Sequence, residues 1–89
     1  MNITVTQDHI NAGVKTQCRM CPIALAITDL GLGYGFAGPI NCYIFRNTND
    51  IMPIYQGTTT TEMLHFMTKF DRDKPVSPTT FVLEMEECE

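Results

Sequence analysis

The segment from Cys18 to Leu30 constrains the fold more than any other part of the chain. Pro22 suits the first position of a helix, because its backbone has no N–H and its φ angle is already close to the helical value. Cys21 then falls at the N-cap, where cysteine is unusual. An apolar stripe with helical spacing follows, formed by Ile23, Ala26, Ile27 and Leu30. The pattern predicts a helix that ends near Leu30, before Gly31.

This helix is apolar on more than one side. Leu25 lies opposite the stripe, and a helix that is apolar on both sides either lies inside the fold or offers a face to a partner. The small side chains of Ala24 and Ala26 indicate that another element approaches closely. Burial between other elements is therefore the favoured interpretation.

Length and composition exclude several classes of protein. The chain has 89 residues, 44% of them hydrophobic, and a net charge of −4. These values predict one globular domain spanning residues 1–89 and no nucleic-acid partner, since such binders usually carry a basic patch. No apolar run is long enough for a membrane span, and a polar, β-prone segment stands where a signal peptide would. We expect a cytosolic protein with reduced cysteines.

Seven helices and strands are expected along the chain. They are a strand at 3–6, a helix at 7–12, the helix at 22–30, strands at 40–46 and 51–55, a helix that begins within 58–61, and a strand at 79–85. The order β-α-α-β-β-α-β predicts an α+β fold, with a small, mostly antiparallel sheet and helices on one face. We expect the first and last strands to be neighbours.

Three further segments carry specific expectations. Residues 31–39 contain four glycines and a proline, which predicts a flexible loop. Pro53 places the strand at 51–55 on the edge of the sheet, where it would be open to pairing with a second copy. We expect residues 85–89 to form a frayed acidic tail.

The cysteine pair is the sharpest chemical feature. Cys18-x-x-Cys21 has the spacing of half a zinc site, and Cys42 is the best candidate for a third ligand. Neither a second Cys-x-x-Cys nor a closely spaced histidine pair is present. A redox pair is an alternative, and the simplest interpretation is that both thiols pack as small apolar side chains. Apart from zinc at this site, no cofactor is expected.

A second group of residues suits recognition of a partner. Tyr34 and Phe36 in the glycine-rich segment, together with Tyr43, Asp50 and Tyr55 of the predicted hairpin, are candidate partner-binding residues. The glycine-rich segment follows a helix and no Lys-Ser/Thr follows it, so it matches neither a P-loop nor a dinucleotide fingerprint. Capture of a small nucleotide is a weaker alternative.

Hydrolytic chemistry has little support in the sequence. His9 lies next to Asp8, and His65 lies three residues after Glu62. Neither histidine has an obvious nucleophile beside it. Solvated or capping roles are the simplest interpretation of both, so an enzyme is not expected.

Two ends of the chain resemble one family. The opening motifs are Ile3-Thr4-Val5-Thr6, His9-Ile10, Gly13 and Cys18-x-x-Cys21-Pro22-Ile23-Ala24-Leu25-Ala26-Ile27, and the closing motifs are Phe70-Asp71, Pro75-Val76-x-Pro78 and Phe81-x-Leu83. Together they resemble a family of small uncharacterised bacteriophage and prophage proteins, while residues 31–62 do not match. The resemblance implies a small viral accessory protein.

Function follows from that resemblance by analogy. Small acidic phage proteins of this size include inhibitors of host defence. We therefore expect non-enzymatic binding of a host protein, with inhibition of a host defence or regulatory protein as its effect. The alternative is a small zinc- or ligand-binding module centred on Cys18 and Cys21.

Overall fold

The structure is a computed structural model that describes residues 1–88. This part of the chain forms six short strands and three helices. The elements are β1 (Asn2–Val5), α1 (Gln7–Ala12), α2 (Pro22–Thr28), β2 (Tyr34–Ala37), β3 (Asn41–Phe45), β4 (Tyr55–Thr58), α3 (Thr61–Asp71), β5 (Thr79–Val82) and β6 (Glu86–Glu87).

The strands form two antiparallel sheets. β1 pairs with β5 in a two-stranded sheet, and the other strands form a four-stranded sheet in the order β2-β3-β4-β6. The predicted α+β class, the antiparallel pairing and the order of the predicted elements are confirmed. β1 and β5 are also the neighbours that were expected at the two ends of the chain.

Helix α2 is the centre of the core. Cys21 occupies the N-cap, where its sulfur accepts a hydrogen bond from the Ala24 amide at 3.4 Å, and Pro22 opens the helix as predicted. α2 packs against β1, α1 and β2, and Ile23 and Ile27 are fully buried. The expected burial is confirmed for Ile23, Ala26 and Ile27 of the stripe, whereas Leu25 on the opposite side is only half-buried. The predicted end was wrong, since the helix stops at Thr28 and Leu30 is exposed.

The prediction of a loop throughout residues 31–39 was wrong. Tyr34–Ala37 form β2, paired with β3 in the register Tyr34–Phe45 to Ala37–Cys42. A Cβ on Gly35 would lie 2.3 Å from the Ala24 carbonyl oxygen and 2.8 Å from Ile27 Cβ. The absence of a side chain at Gly35 therefore allows β2 to lie directly on α2. The glycine content of this segment had suggested flexibility instead.

The strand predicted at 51–55 was placed too early. β4 begins at Tyr55 and lies between β3 and β6, so it is an internal strand despite Pro53. The connection from β3 holds Ile51 and Met52 with 90% and 68% of their surface exposed. The pairing of Ile44 with Tyr55 sets this register, so the edge strand expected to pair with a second copy does not form there.

The C-terminal segment also differs from the prediction. The expected strand at 79–85 ends at Val82, and the chain then crosses from the two-stranded to the four-stranded sheet. Glu86–Glu87 form β6 on β4, and the Cys88 amide donates to the Ile54 carbonyl at 2.9 Å. Residues 86–88 are therefore held by backbone hydrogen bonds and are not a frayed tail; Glu89 lies outside the described residues.

Helix α3 closes the core over the two-stranded sheet. Met63, Phe66 and Met67 are its buried residues, and the Phe66 ring meets Phe81 of β5 edge-on at a centroid distance of 5.6 Å. Within residues 1–88, neither α3 nor another helix is long and apolar enough to cross a membrane.

Candidate functional site

Four aromatic side chains gather on the outer side of the four-stranded sheet. Tyr34 and Phe36 of β2 stand opposite Phe45 and Tyr43 of β3, respectively. The Phe36 ring lies 5.6 Å from Tyr43 and 6.2 Å from Phe45, and Tyr43 lies 5.9 Å from Phe45. These separations are typical of favourable tilted and edge-on aromatic pairs. We call these four residues the aromatic face.

Strand alternation explains why these rings share one side. In β2 and β3 the intervening residues are Gly35, Ala37, Cys42 and Ile44, all of them buried. Successive side chains of a strand point to opposite faces. Small and aliphatic residues therefore face α2, and the aromatic residues are directed away from it.

Arg19 covers part of the aromatic face. Its guanidinium lies 4.7 Å from the centroid of Phe45 and 5.7 Å from that of Phe36, within the range of a cation–π interaction. The preceding residue fixes this position, since the Ala37 amide donates to the Cys18 carbonyl at 2.8 Å. The Arg19 side chain thus forms part of the same surface as the rings.

The free edge of β2 is occupied by partners from this chain. Besides the bond from Ala37 to Cys18, the Gly35 amide donates to Thr28 Oγ1 at 2.8 Å. These two amides are the donors that an added strand would need at this edge. A partner that binds at β2 would therefore contact the side chains of this strand and would not pair with its edge.

The five candidate partner-binding residues are divided between different places. Tyr34, with 45% of its surface exposed, Phe36 and Tyr43 share the aromatic face. Tyr55 lies on the opposite side of the sheet, beside Ile44, and its hydroxyl donates to Glu87 Oε1 at 3.5 Å. Asp50 accepts from the Asn47 amide at 3.3 Å and belongs to the β3–β4 turn.

Phe45 of the aromatic face and Arg19, which lies against it, were not among the predicted partner-binding residues. The alternation in Tyr34-x-Phe36 and Tyr43-x-Phe45 carries the signal for Phe45, because it places one aromatic pair on each of two neighbouring strands. Nothing in the sequence signals Arg19, whose position depends on a contact between distant segments.

A cavity lies on the other side of β2. Its volume is ≈ 260 Å³, and it is bounded by the loop that carries Cys18 and Cys21, by Ala37, and by Met67 and Asp71 of α3. Asp71 Oδ1 accepts from the Thr16 amide at 3.0 Å and so ties the loop to the helix. We call this space the thiol cavity.

The three predicted metal ligands do not form a common site. Within residues 1–88, no group of three or more His, Cys, Asp or Glu side chains is arranged to hold a metal ion. Cys42 is fully buried, and its sulfur lies 3.4 Å from Thr59 Oγ1. The zinc hypothesis therefore lacks the third ligand that the sequence suggested.

Burial controls the acidity of two of the thiols. Loss of hydration raises the pKa of Cys21 from 9.0 to about 11, although the Ala24 and Ile23 amides act in the opposite direction. Burial also raises the pKa of Cys42. Because the thiolate is the reactive form, burial lowers the reactivity of the Cys21 thiol.

We expect Cys21 to make the folded state less stable in alkaline solution. Its folded pKa lies above its unfolded pKa, so its contribution to the free energy of unfolding is complete below pH 9.0 and is lost as the pH rises to about 11. The slope is at most about 1.4 kcal/mol per pH unit. Urea unfolding of the wild type and Cys21→Ser at several pH values measures it; identical slopes in both proteins would contradict the assignment.

His9 joins helices α1 and α2. Its Nδ1 accepts from the Thr6 amide at 3.0 Å, completing a capping box, and its Nε2 meets Asp29 Oδ2 at 2.5 Å. An Nδ1 that accepts an amide proton leaves Nε2 as the protonated nitrogen. The capping role expected for His9 is confirmed, and its acidic partner is Asp29 instead of the adjacent Asp8.

Comparison of the chain with protein-family models, with curated proteins and with solved structures finds no match.

Proposed function

We propose that this protein acts by binding another protein through the aromatic face, without catalysing a reaction. The observation that carries the proposal is the arrangement of Tyr34, Phe36 and Tyr43 on one side of the sheet with Arg19 against them. Tyrosine and arginine are among the residues that contribute most to binding energy at protein interfaces. A rigid two-strand platform also presents them at a low cost in conformational entropy.

The surroundings of the aromatic face favour an interface over a core contact. Phe45 is 7% exposed and anchors the platform, whereas Tyr34 is 45% exposed at its rim. Leu32, just before β2, and Tyr34, its first residue, are both more than 40% exposed. A buried aromatic centre with a partly exposed rim is the arrangement from which a partner can exclude water.

The nature of the partner follows from the family resemblance of the sequence. A phage-encoded accessory protein meets proteins of its bacterial host, so the proposed partner is a host protein and the proposed effect is inhibition of a defence or regulatory protein. The net charge of −4 disfavours binding to nucleic acid as the means of inhibition.

Site-specific photocrosslinking tests the proposed surface. Benzoyl-phenylalanine would replace Tyr34 in one protein and Val82, 66% exposed on the other sheet, in a matched control. Both would be irradiated in lysate of a bacterial host and the adducts identified by mass spectrometry. We expect one host protein to be crosslinked from position 34 and not from position 82.

Competition then connects the crosslink to the aromatic face. Unlabelled wild-type protein and Val82→Ala should suppress the crosslink, while Arg19→Ala and Tyr43→Ala should each compete at least about tenfold less well, as expected for residues at the centre of an interface. Equal competition by all four proteins, or the same adducts from both positions, would contradict the proposal.

A further inference from the structure

The proposed interface leaves the thiol cavity without a role. Cys18 and Cys21 border this cavity from the loop before α2, and Met67 borders it from α3. Three of the ten residues that line this cavity therefore carry sulfur, and they come from two segments that are far apart in sequence. We propose that this cavity binds Cu(I), with the Cys18 and Cys21 thiolates and the Met67 thioether as ligands.

The types of ligand atom in the cavity determine which metal ion it would prefer. Thiolate and thioether sulfurs are soft ligands, which favour Cu(I), whereas zinc sites in proteins are usually completed by four cysteine, histidine or carboxylate ligands. Thioethers are not among the usual zinc ligands, and the carboxylate that borders the cavity, Asp71, accepts a hydrogen bond from the Thr16 amide. Within residues 1–88, no group of three or more His, Cys, Asp or Glu side chains is arranged to hold zinc. Cu(I) accepts a smaller set of sulfur ligands, so these side chains suit it better than zinc.

The cavity also supplies access and enclosure. Cys18 is half-buried and Cys21 is 5% exposed, so a metal can enter at the first thiol and be held by the second. Met67, 9% exposed, forms part of the opposite wall. The hydrogen bond from the Thr16 amide to Asp71 holds the loop against α3, and this contact keeps the thiol and thioether walls together.

Binding requires the loss of both thiol protons. One Cu(I) ion replaces the protons of Cys18 and Cys21, so two protons leave for each metal bound and the thiols are not oxidised. Metal affinity at thiol sites rises with pH for this reason.

An anaerobic titration tests the site. The folded protein would compete with bicinchoninate for Cu(I) kept reduced by ascorbate, and the absorbance of the bicinchoninate complex would report transfer of the metal. We expect one Cu(I) per chain, an affinity that increases between pH 6.5 and pH 8 as expected for proton displacement, and no stoichiometric binding when Zn²⁺ is added alone. Absence of transfer from bicinchoninate would overturn the proposal.

Four variants assign the ligands. Cys18→Ser and Cys21→Ser should each weaken Cu(I) binding at least about a hundredfold, and Met67→Leu about tenfold. Serine is a favoured N-cap residue, so Cys21→Ser should retain the fold, and circular dichroism would verify it. Cys88→Ser is the matched control and should bind like the wild type, since the Cys88 amide donates to Ile54, just before β4. A loss with Cys88→Ser, or full binding by Cys18→Ser or Cys21→Ser, would overturn the assignment.

Discussion

Replacement of Gly35 with alanine should lower the free energy of unfolding by about 3 kcal/mol or more. The new Cβ would lie 2.3 Å from the Ala24 carbonyl oxygen and 2.8 Å from Ile27 Cβ. Both neighbours belong to α2, so relief of the overlap requires movement of the strand away from the helix. Overpacking in a core costs about 1–3 kcal/mol, and more where the neighbours cannot move.

A second glycine separates this steric effect from backbone strain. Gly31 has a φ angle of 81°, but a Cβ there would meet no atom within 4 Å. Gly31→Ala should therefore cost only about 1 kcal/mol, the price of a left-handed conformation. Urea unfolding of both variants measures the difference. Equal losses would contradict the close packing of β2 on α2.

Replacement of Ile27 with alanine should cost about 2–5 kcal/mol of unfolding free energy. Ile27 is fully buried in α2, and its side chain packs next to Gly35 of β2. The removed methyl and methylene groups leave a cavity that the surrounding helix and strands can fill only in part. Ile27→Val removes less volume and should cost about 0.5–1.5 kcal/mol.

The same substitution at the surface provides the control. Ile51 is 90% exposed in the β3–β4 connection, so Ile51→Ala should change the free energy of unfolding by no more than about 0.5 kcal/mol. Thermal and urea unfolding would be followed for all three variants. A loss at Ile51 as large as that at Ile27 would show that the core is not centred on α2.

The two proposed sites lie on opposite sides of β2 and share one loop. Cys18 borders the thiol cavity, and the adjacent Arg19 lies over the aromatic face. The hydrogen bond between the Ala37 amide and the Cys18 carbonyl anchors the loop at the strand edge. One backbone contact therefore positions a residue of each site.

Sequence patterns predicted the structure correctly where interactions between neighbouring residues determine it. Pro22 and Cys21 marked the start of α2, and the apolar spacing marked its buried sides, because capping and helical periodicity act within a few residues. The glycine-rich segment was misjudged because glycine serves both flexible loops and close packing. Its role at Gly35 depends on Ala24, which belongs to another element.

The recognition residues show the same limit. Tyr34 and Phe36 were selected as aromatic residues of a predicted loop, and Tyr43 as part of a predicted hairpin. That all three lie on one side of a sheet follows only from the pairing of β2 with β3. Tyr55 could not be assigned to the other side of the sheet until the register of β4 was known, since a shift by one residue reverses the direction of every side chain.

Local sequence patterns were enough to predict the α+β class, the helices and the position of the cysteine pair at the start of α2, because these depend on neighbouring residues. The position of Arg19 against the aromatic face and the cavity that Met67 shares with Cys18 and Cys21 could be seen only in the folded chain. Both depend on contacts between segments distant along the chain. Such contacts are set by how the whole core packs, and no local pattern encodes them.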